Sequence, residues 1–351
     1  MLLISALPRM SENEWLTRKK RIDSKLSSLK PSWVITPFSK VTDFSVLTNH
    51  AVEEFPTENG FADYALFVDG KIIGFIEAKK VSVNPQNVLE QAKRYARTVY
   101  QGIGNWNGFK VPFIYASNGE VIWFADVRAN NYISRQISNF HTPKAMKEMF
   151  EKNNQTSFNW LKSNSPDQIE RLRYYQIEAI ESIENELQKG RREMLIAMAT
   201  GTGKTFFTVA QIYRLLESKF ARRILFLVDR KALAAQAVRE FNSFQTPHGN
   251  KFNQEYEIYS QKFRREDFGD DESFNPKMLP NEYLTNPSSS QTFVYVSTIQ
   301  RMTINLFGHE RAFEQSASDP DYEAEADKMD IPNHAFDIII ADECHREPNQ
   351  F

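Results

Sequence analysis

The run Ala199-Thr200-Gly201-Thr202-Gly203-Lys204-Thr205 constrains this chain more than any other stretch. It follows an apolar run, Met194-Leu195-Ile196-Ala197-Met198, and opens a helical pattern over 206–216. Strand, glycine loop, helix is the context that separates a phosphate-binding loop from a chance glycine cluster. Glycines let backbone N–H groups close around phosphate oxygens, and the helix N-terminus adds the positive end of its dipole. In that geometry Lys204 reaches the β- and γ-phosphates and Thr205 ligates Mg²⁺, while Thr200, Gly201, Thr202 and Gly203 form the cradle. The chain is expected to bind a nucleoside triphosphate.

From residue 169 onward, strand and helix patterns alternate. Residues 194–198, 224–228, 293–296 and 337–341 read as strands, and 167–188, 206–217 and 231–242 as helices. This pattern predicts a doubly wound, largely parallel α/β domain over 169–351. Two polar insertions interrupt it, at about 245–290 and 309–333. The second is acidic (Asp319, Asp321, Glu323, Glu325, Asp327, Asp330) and reads as a solvated loop.

The other half of the nucleotide site is expected at Asp342-Glu343-Cys344-His345, beyond the apolar strand 337–341. Ligands of doubly wound sheets bind past the carboxyl ends of the strands. Asp342 would hold Mg²⁺ through water, and Glu343 would orient the attacking water. Ahead of the first strand, a carboxamide at Gln176 can read the two-sided edge of adenine, with Arg173 or a neighbouring aromatic stacked on the base. A strand cap with exposed acids, and a helix carrying an ordinary core tyrosine, are the plainer readings of these two segments. Cys344 reads as a small buried filler, and His345 as a loop residue.

The first region is α+β. Residues 14–29 read as a helix with apolar Trp15, Ile22, Leu26 and Leu29, and 87–100 as a second helix. Residues 61–68 and 71–79 read as a hairpin about Asp69-Gly70, and 111–116 with 121–124 flank Asn118-Gly119. Residues 1–148 form one expected domain, with a linker at 149–168.

Asp63, Glu77 and Lys79 form a second constellation in that region. Glu77 and Lys79 are two apart on a strand and share a face. A strict two-residue turn would pair residue 63 with 76 and turn Glu77 away; one bulge restores Asp63 opposite Glu77, so an irregular hairpin is predicted. Two carboxylates and a lysine on one face can hold Mg²⁺ and an attacking water at a phosphodiester. Asp63, Glu77 and the Ala78 carbonyl would be ligands, and Lys79 would orient the water and offset developing charge. Gln91 and Tyr95, four apart on the following helix, point together at the substrate backbone or at Lys79. Glu14 is a further carboxylate candidate. Charged edge strands also produce such triplets.

Composition sets bounds. The 351 residues are 41% hydrophobic and 25% charged, enough for two cores. A net charge of −2 confines any nucleic-acid contact to local patches such as Arg18-Lys19-Lys20-Arg21 or Arg222-Arg223, which otherwise read as solvated faces. A single cysteine excludes an internal disulfide. With no signal peptide and no membrane-length apolar run, a cytoplasmic protein is expected.

Gln176, the loop 199–205 and the Asp342-Glu343-Cys344-His345 box resemble motifs Q, I and II of superfamily 2 helicases and translocases. Met198 stands where the first glycine of the longer pattern would be. Leu227-Val228-Asp229-Arg230 and Ser297-Thr298-Ile299-Gln300 resemble motifs Ia and Ib, which implies DNA-phosphate contact by Arg230, Ser297 and Thr298. Glu14, Asp63, Glu77-Ala78-Lys79 and Gln91-x-x-x-Tyr95 resemble the PD-(D/E)xK nuclease domain of type I restriction enzymes, although Ala62 replaces the first residue of the naming motif. Together they resemble the restriction, or motor, subunit of the HsdR family. That resemblance implies an α/β fold in which a PD-(D/E)xK nuclease-like domain precedes a RecA-like P-loop domain. It also implies an ATP- and Mg²⁺-dependent translocase and endonuclease acting on unmodified double-stranded DNA, with prokaryotic methylation and specificity subunits as partners. A second motor domain would follow His345, so this stretch alone is expected to bind ATP without translocating. The alternatives are a helicase or repair translocase whose first domain only binds DNA, and an ATP-gated assembly module without chemistry.

Overall fold

The computed structural model describes residues 14–85, 89–100, 102–129, 132–261, 277–309 and 326–342. The chain divides into two compact units, Met1–Lys152 and Asn153–Phe351.

The first unit is built on a seven-stranded sheet in simple sequence order. Its strands are β1 (Val34–Pro37), β2 (Asn49–Thr57), β3 (Gly60–Val68), β4 (Lys71–Ala78), β5 (Phe113–Ser117), β6 (Ile122–Asp126) and β7 (Arg135–Ile137). β1–β2 and β4–β5 are parallel and the other pairs antiparallel. A parallel pair needs a crossover. Helix α3 (Leu89–Thr98) supplies it between β4 and β5, following the N-terminal α1 (Glu14–Thr17), a π-helical turn (Arg18–Ile22) and α2 (Asp23–Ser28). Helix α4 (Pro143–Glu151) closes the unit, its N-terminus capped by the Thr142 hydroxyl.

Alternation of side chains divides the sheet into two faces. Ala65, Phe67 and Phe75 pack with Ala92, Tyr95 and Ala96 of α3. Tyr64, Leu66, Ile76 and Ala78 pack with Ile22, Leu26 and Met146 on the other face. The β3–β4 turn is the expected Asp69-Gly70 pair, with φ of 47° and 74°. Positive φ at both positions suits the tight primed turn that matches strand twist. The predicted irregularity is present: the register shifts by one between Leu66 and Phe67. Strand β2 was not expected, because Glu53, Glu54 and Pro56 argue against a strand in isolation. Lys19 and Arg18 neutralise the two acids from outside the strand.

The second unit carries a five-stranded, all-parallel sheet of β8 (Arg223–Val228), β9 (Glu257–Ser260), β10 (Lys277–Met278), β11 (Phe293–Thr298) and β12 (Ile338–Ala341). Its order is β10-β9-β11-β8-β12. The central strands β8 and β11 are buried along their whole length and mostly apolar because both faces are covered. Ile224, Phe226, Val228, Val294 and Val296 enter one core, and Leu225, Leu227, Phe293 and Tyr295 the other. Helices α5 (Asn154–Ser163), α6 (Tyr174–Gln188), α7 (Lys204–Glu217), α8 (Lys231–Ser243), α9 (Phe252–Glu255), α10 (Asn281–Thr285) and α11 (Ile299–Phe307) complete the unit. Glu184 of α6 grips Arg214 of α7 bidentately, at 2.7 and 2.9 Å, and Arg214 also donates to the Leu161 carbonyl of α5.

The boundary between the units, Lys152/Asn153, falls within the expected linker or domain-bridging segment 149–168, which is largely helical: Asn153 caps α5, whose Ser157 and Leu161 are buried. Two expectations differ from what is observed. The 245–290 insertion is partly folded, contributing β9 and β10 to the sheet. Residues 194–198 form no strand, and Leu195 is 81% exposed. A strand exists only within a ladder. No described strand pairs along the outer side of β12, where Ile339 is 57% exposed. Most of the acidic stretch 309–333 lies outside the described residues, as do Glu343, Cys344 and His345.

Candidate active sites

In the first unit, the bulge does what the spacing required. Past it, Tyr64 faces Ile76, so the next position sets Asp63 opposite Glu77. Parity then puts Asp63, Glu77 and Lys79 on the sheet face that α3 covers. The β3–β4 ladder is continued there by a side chain: Ala78 N–H donates to Asp63 Oδ2 at 2.7 Å. Lys79 N–H donates to the Ser117 carbonyl, extending the β4–β5 ladder. Lys79 Nζ lies 2.8 Å from Glu77 Oε1, and Glu77 is buried.

From α3, Gln91 Nε2 donates to the Tyr95 hydroxyl at 2.9 Å. Burial raises the Tyr95 pKa. Gln91 opposes the rise, the charges of Glu77 and Asp63 add to it, and Lys79 opposes it. The Tyr95 hydroxyl is thus within electrostatic reach of all three charged groups. Tyr95 stays protonated there and can donate a hydrogen bond. No cluster of three or more His, Cys, Asp or Glu that could hold a metal occurs among the described residues. Mg²⁺ does not need one: it binds through one or two carboxylates and keeps waters and substrate phosphate as remaining ligands. Asp63, Glu77 and the Ala78 carbonyl fit that donor set.

Three cations of the N-terminal basic run are engaged within the unit. Arg18 pairs with Asp63 at 3.0 Å and with Glu54, Lys19 with Glu53 and Asp23, and Arg21 with Glu120. Sequence reasoning weighed these cations as solvated or DNA-facing. Except for Asp23, four residues from Lys19, their partners lie tens of residues away, where no local pattern announces them. The side chain of Glu14 lies outside the description.

In the second unit, the glycine loop precedes α7 as expected. Gly201 and Gly203 have φ of 78° and 76°, conformations an L side chain rarely adopts. A Cβ at Gly201 would meet nothing within 4 Å, so the loop presents open space on that side. The Thr202 hydroxyl folds back onto the Ala199 carbonyl at 2.6 Å. Lys204 and Thr205 begin the helix, and backbone N–H groups at a helix start attract anions.

Gln176 is placed differently from the adenine-reading expectation. It is only 2% exposed. Its Oε1 accepts from Arg173 N–H at 2.9 Å, and its Nε2 donates to the Thr202 and Gly203 carbonyls at 3.0 and 3.2 Å. Both ends of the amide are engaged, because a helix start and a turned loop each leave backbone groups to satisfy. Tyr175 joins them, donating to the Thr202 carbonyl and accepting from Arg173.

Asp342 stands at the tip of β12, its N–H bonded to the Leu227 carbonyl at 2.8 Å. Arg230 occupies the N-cap position of α8 without a side-chain cap bond, and its side chain is 66% exposed beside Asp229. Ser297 and Thr298 do not face solvent. Both are buried, and both hydroxyls and Thr298 N–H donate to Gln261 Oε1. Thr298 also caps α11, accepting from Arg301 N–H. Their placement removes them from a phosphate-facing surface.

Taken with its parallel sheet and glycine loop, the second unit defines a helicase-like class, and comparison with known proteins agrees. Residues 169–350 match the family described as "Type III restriction enzyme, res subunit", and the chain belongs to that family. Residues 37–150 match the "Type I restriction enzyme EcoKI endonuclease subunit second domain". The chain is a homologue of type I restriction enzyme endonuclease subunits. It is 29% identical to the EcoKI subunit of Escherichia coli K12, over 85% of this chain and 26% of that protein. It is 27% identical to the EcoAI subunit of Escherichia coli, over 81% of this chain and 29% of that one. The chain thus spans between a quarter and a third of the length of these relatives. Among solved structures, a fragment of an HsdR subunit from Vibrio vulnificus matches with 18% identity and a TM-score of 0.27, over 96% of this chain and 52% of that one. A nuclease-deletion mutant of the Type ISP enzyme LlaGI, in complex with a DNA substrate mimic, matches with 24% identity and a TM-score of 0.30, over 50% and 15%. No helix among the described residues is long and apolar enough to cross a membrane.

Proposed function

We propose that this chain is part of an ATP- and Mg²⁺-dependent DNA translocase and endonuclease subunit of a type I restriction–modification system. It would cut unmodified double-stranded DNA in the prokaryotic cytoplasm, assembled with methylation and specificity subunits. The observation that carries the reading is the register that sets Asp63 opposite Glu77, with Lys79 on Glu77 and Ala78 N–H on Asp63, in a chain that also holds a glycine loop at a helix start.

Residues 1–148 would be the nuclease. Asp63, Glu77 and the Ala78 carbonyl would hold Mg²⁺, which when bound supplies Lewis acidity at the scissile phosphate. Lys79 would orient the attacking water and offset the charge developing on phosphate. Gln91 and Tyr95 would donate to the DNA backbone beside it. Residues 169–351 would be the first RecA-like motor domain. Thr200, Gly201, Thr202 and Gly203 would cradle the ATP phosphates, and Lys204 would reach the β- and γ-phosphates. Thr205 and Asp342 would hold the nucleotide's Mg²⁺, and Glu343 would position water. Arg173 would stack on adenine. Gln176 would act first by holding the loop, and Arg230 would touch DNA phosphate.

The test is cleavage of long unmodified DNA by the complete enzyme, with and without ATP. Cutting that needs both ATP and Mg²⁺ is expected. No cutting under any condition would leave a DNA-binding translocase and overturn the nuclease half.

A further inference from the structure

We propose that Arg18 is a positioning residue of the Asp63–Glu77 site: a built-in cation that orients Asp63 and weakens the site's hold on a divalent metal in the absence of substrate. This deepens the nuclease reading and rests on it.

The guanidinium meets Asp63 twice. Nη1 lies 3.0 Å from Asp63 Oδ1, and Nη2 lies 3.5 Å from the Asp63 carbonyl oxygen. The other Asp63 oxygen already accepts from Ala78 N–H. Both oxygens are therefore directed, and the carboxylate cannot turn freely. Arg18 is itself fixed: Nη1 bonds Glu54, Nη2 lies 3.6 Å from Glu53, and the guanidinium sits 5.1 Å over the Tyr64 ring. Tyr64 is held in turn, donating to Asp23 at 2.5 Å. The Arg18 side chain is only 8% exposed. Burial disfavours its charge, but Glu54, Asp63 and Tyr64 outweigh that, so the group remains a permanent cation. A planar fork with five donors suits this bridging task, and a lysine would not reproduce its geometry.

Two consequences of opposite sign follow. Fixing the carboxylate lowers the reorganisation needed at the reacting phosphate. A positive charge against a metal ligand also repels a divalent ion, and the repulsion is strongest away from bulk water. Glu53 and Glu54 offset part of it. Scissile phosphate would add the missing negative charge, so metal loading is coupled to DNA.

The test measures Mn²⁺ binding to the 351-residue chain by electron paramagnetic resonance, without nucleotide or DNA, alongside cleavage by the complete enzyme. Arg18→Met is expected to bind Mn²⁺ about tenfold tighter yet to cleave about tenfold to a hundredfold more slowly. Arg18→Lys keeps the charge and stays within about threefold of the wild-type affinity. Glu54→Gln, at a side chain 59% exposed, is expected to weaken Mn²⁺ binding about threefold, since it leaves the guanidinium less compensated. A merely structural Arg18 would lower the melting temperature without this opposed movement of affinity and rate. Unchanged or weaker Mn²⁺ binding in folded Arg18→Met, or unmoved affinity in Glu54→Gln, overturns the proposal alone. Asp63→Asn is the separate control: wild-type Mn²⁺ affinity in that variant would remove the metal site, and this inference with it.

Discussion

The two candidate sites are built from opposite materials. In the first unit the chemistry lies in side chains: Asp63, Glu77 and Lys79 depend on strand parity and one bulge to share a face. In the second unit it lies in the backbone: two positive-φ glycines and the start of α7 present N–H groups, and Gln176 and Tyr175 hold the loop from behind. A metal site needs a few charges in strict register. A phosphate site needs a backbone conformation that only certain residues permit.

That division predicts a double dissociation, the largest effect expected. In the complete enzyme, Lys79→Ala or Asp63→Asn should reduce DNA cleavage by about 10⁴-fold, as when one member of a catalytic set is lost, while DNA-stimulated ATP hydrolysis continues. Lys204→Ala should abolish hydrolysis and, with it, ATP-dependent cutting. Loss of ATPase in Lys79→Ala would break the contrast, because it would mean the sites are not separately constructed.

Next in size is a test of where the second unit's rigidity comes from. Glu184 and Arg214 form a buried bidentate pair that also ties α5 through the Leu161 carbonyl. Removing one partner strands the other charge in a dry interior, at a cost of about 3–5 kcal/mol. Arg214→Met should therefore lower the urea midpoint of the second unit's transition, read by nucleotide-analogue binding, and leave the first unit's transition in place. The double variant Arg214→Met with Glu184→Leu should recover much of the loss, since an apolar pair leaves no orphan charge.

The two regions also differed in how far they could be read from sequence. The β3–β4 hairpin, its bulge and the alignment of Asp63 with Glu77 follow from turn chemistry and parity, which are local. The glycine loop and α7 are local too. Strand β2 was missed because its acids are tolerable only beside Arg18 and Lys19, and that pairing is tertiary. The burial of Ser297 and Thr298 depends on Gln261, more than thirty residues earlier. Residues 194–198 failed in the other direction: the pattern is that of a buried strand, but the segment has no ladder among the described residues.

A smaller effect tests the backing of the phosphate loop. Gln176→Ala removes two donations to the Thr202 and Gly203 carbonyls and one acceptor at the start of α6. At about 1 kcal/mol for each net hydrogen bond, part of it lost before binding, ATP-analogue affinity should fall about tenfold. Gln176→Glu separates loop support from base reading. It keeps an acceptor for Arg173 N–H but sets negative charge against two carbonyls, so it should be worse than alanine if loop support dominates. Equal loss for ATP and GTP analogues would fit a loop-holding role. Loss confined to ATP would restore adenine reading as the main one.

The smallest effect separates the two units by pH. His50 of β2 has a buried Nδ1, and burial holds its pKa below the ordinary 6.5. The folded state therefore binds this proton less readily than the unfolded chain. Between the lowered folded value and 6.5 the unfolded state carries more protons, so the stability this neutral ring contributes is fully present above 6.5 and is lost as pH falls through that window. Urea midpoints of the first unit should drop on acidification from pH 7 to 5. His50→Gln cannot gain that proton and should flatten this part of the slope, with the second unit's transition unaffected. An identical acid slope in wild type and His50→Gln would mean that paired carboxylates, not this ring, set the first unit's acid limit.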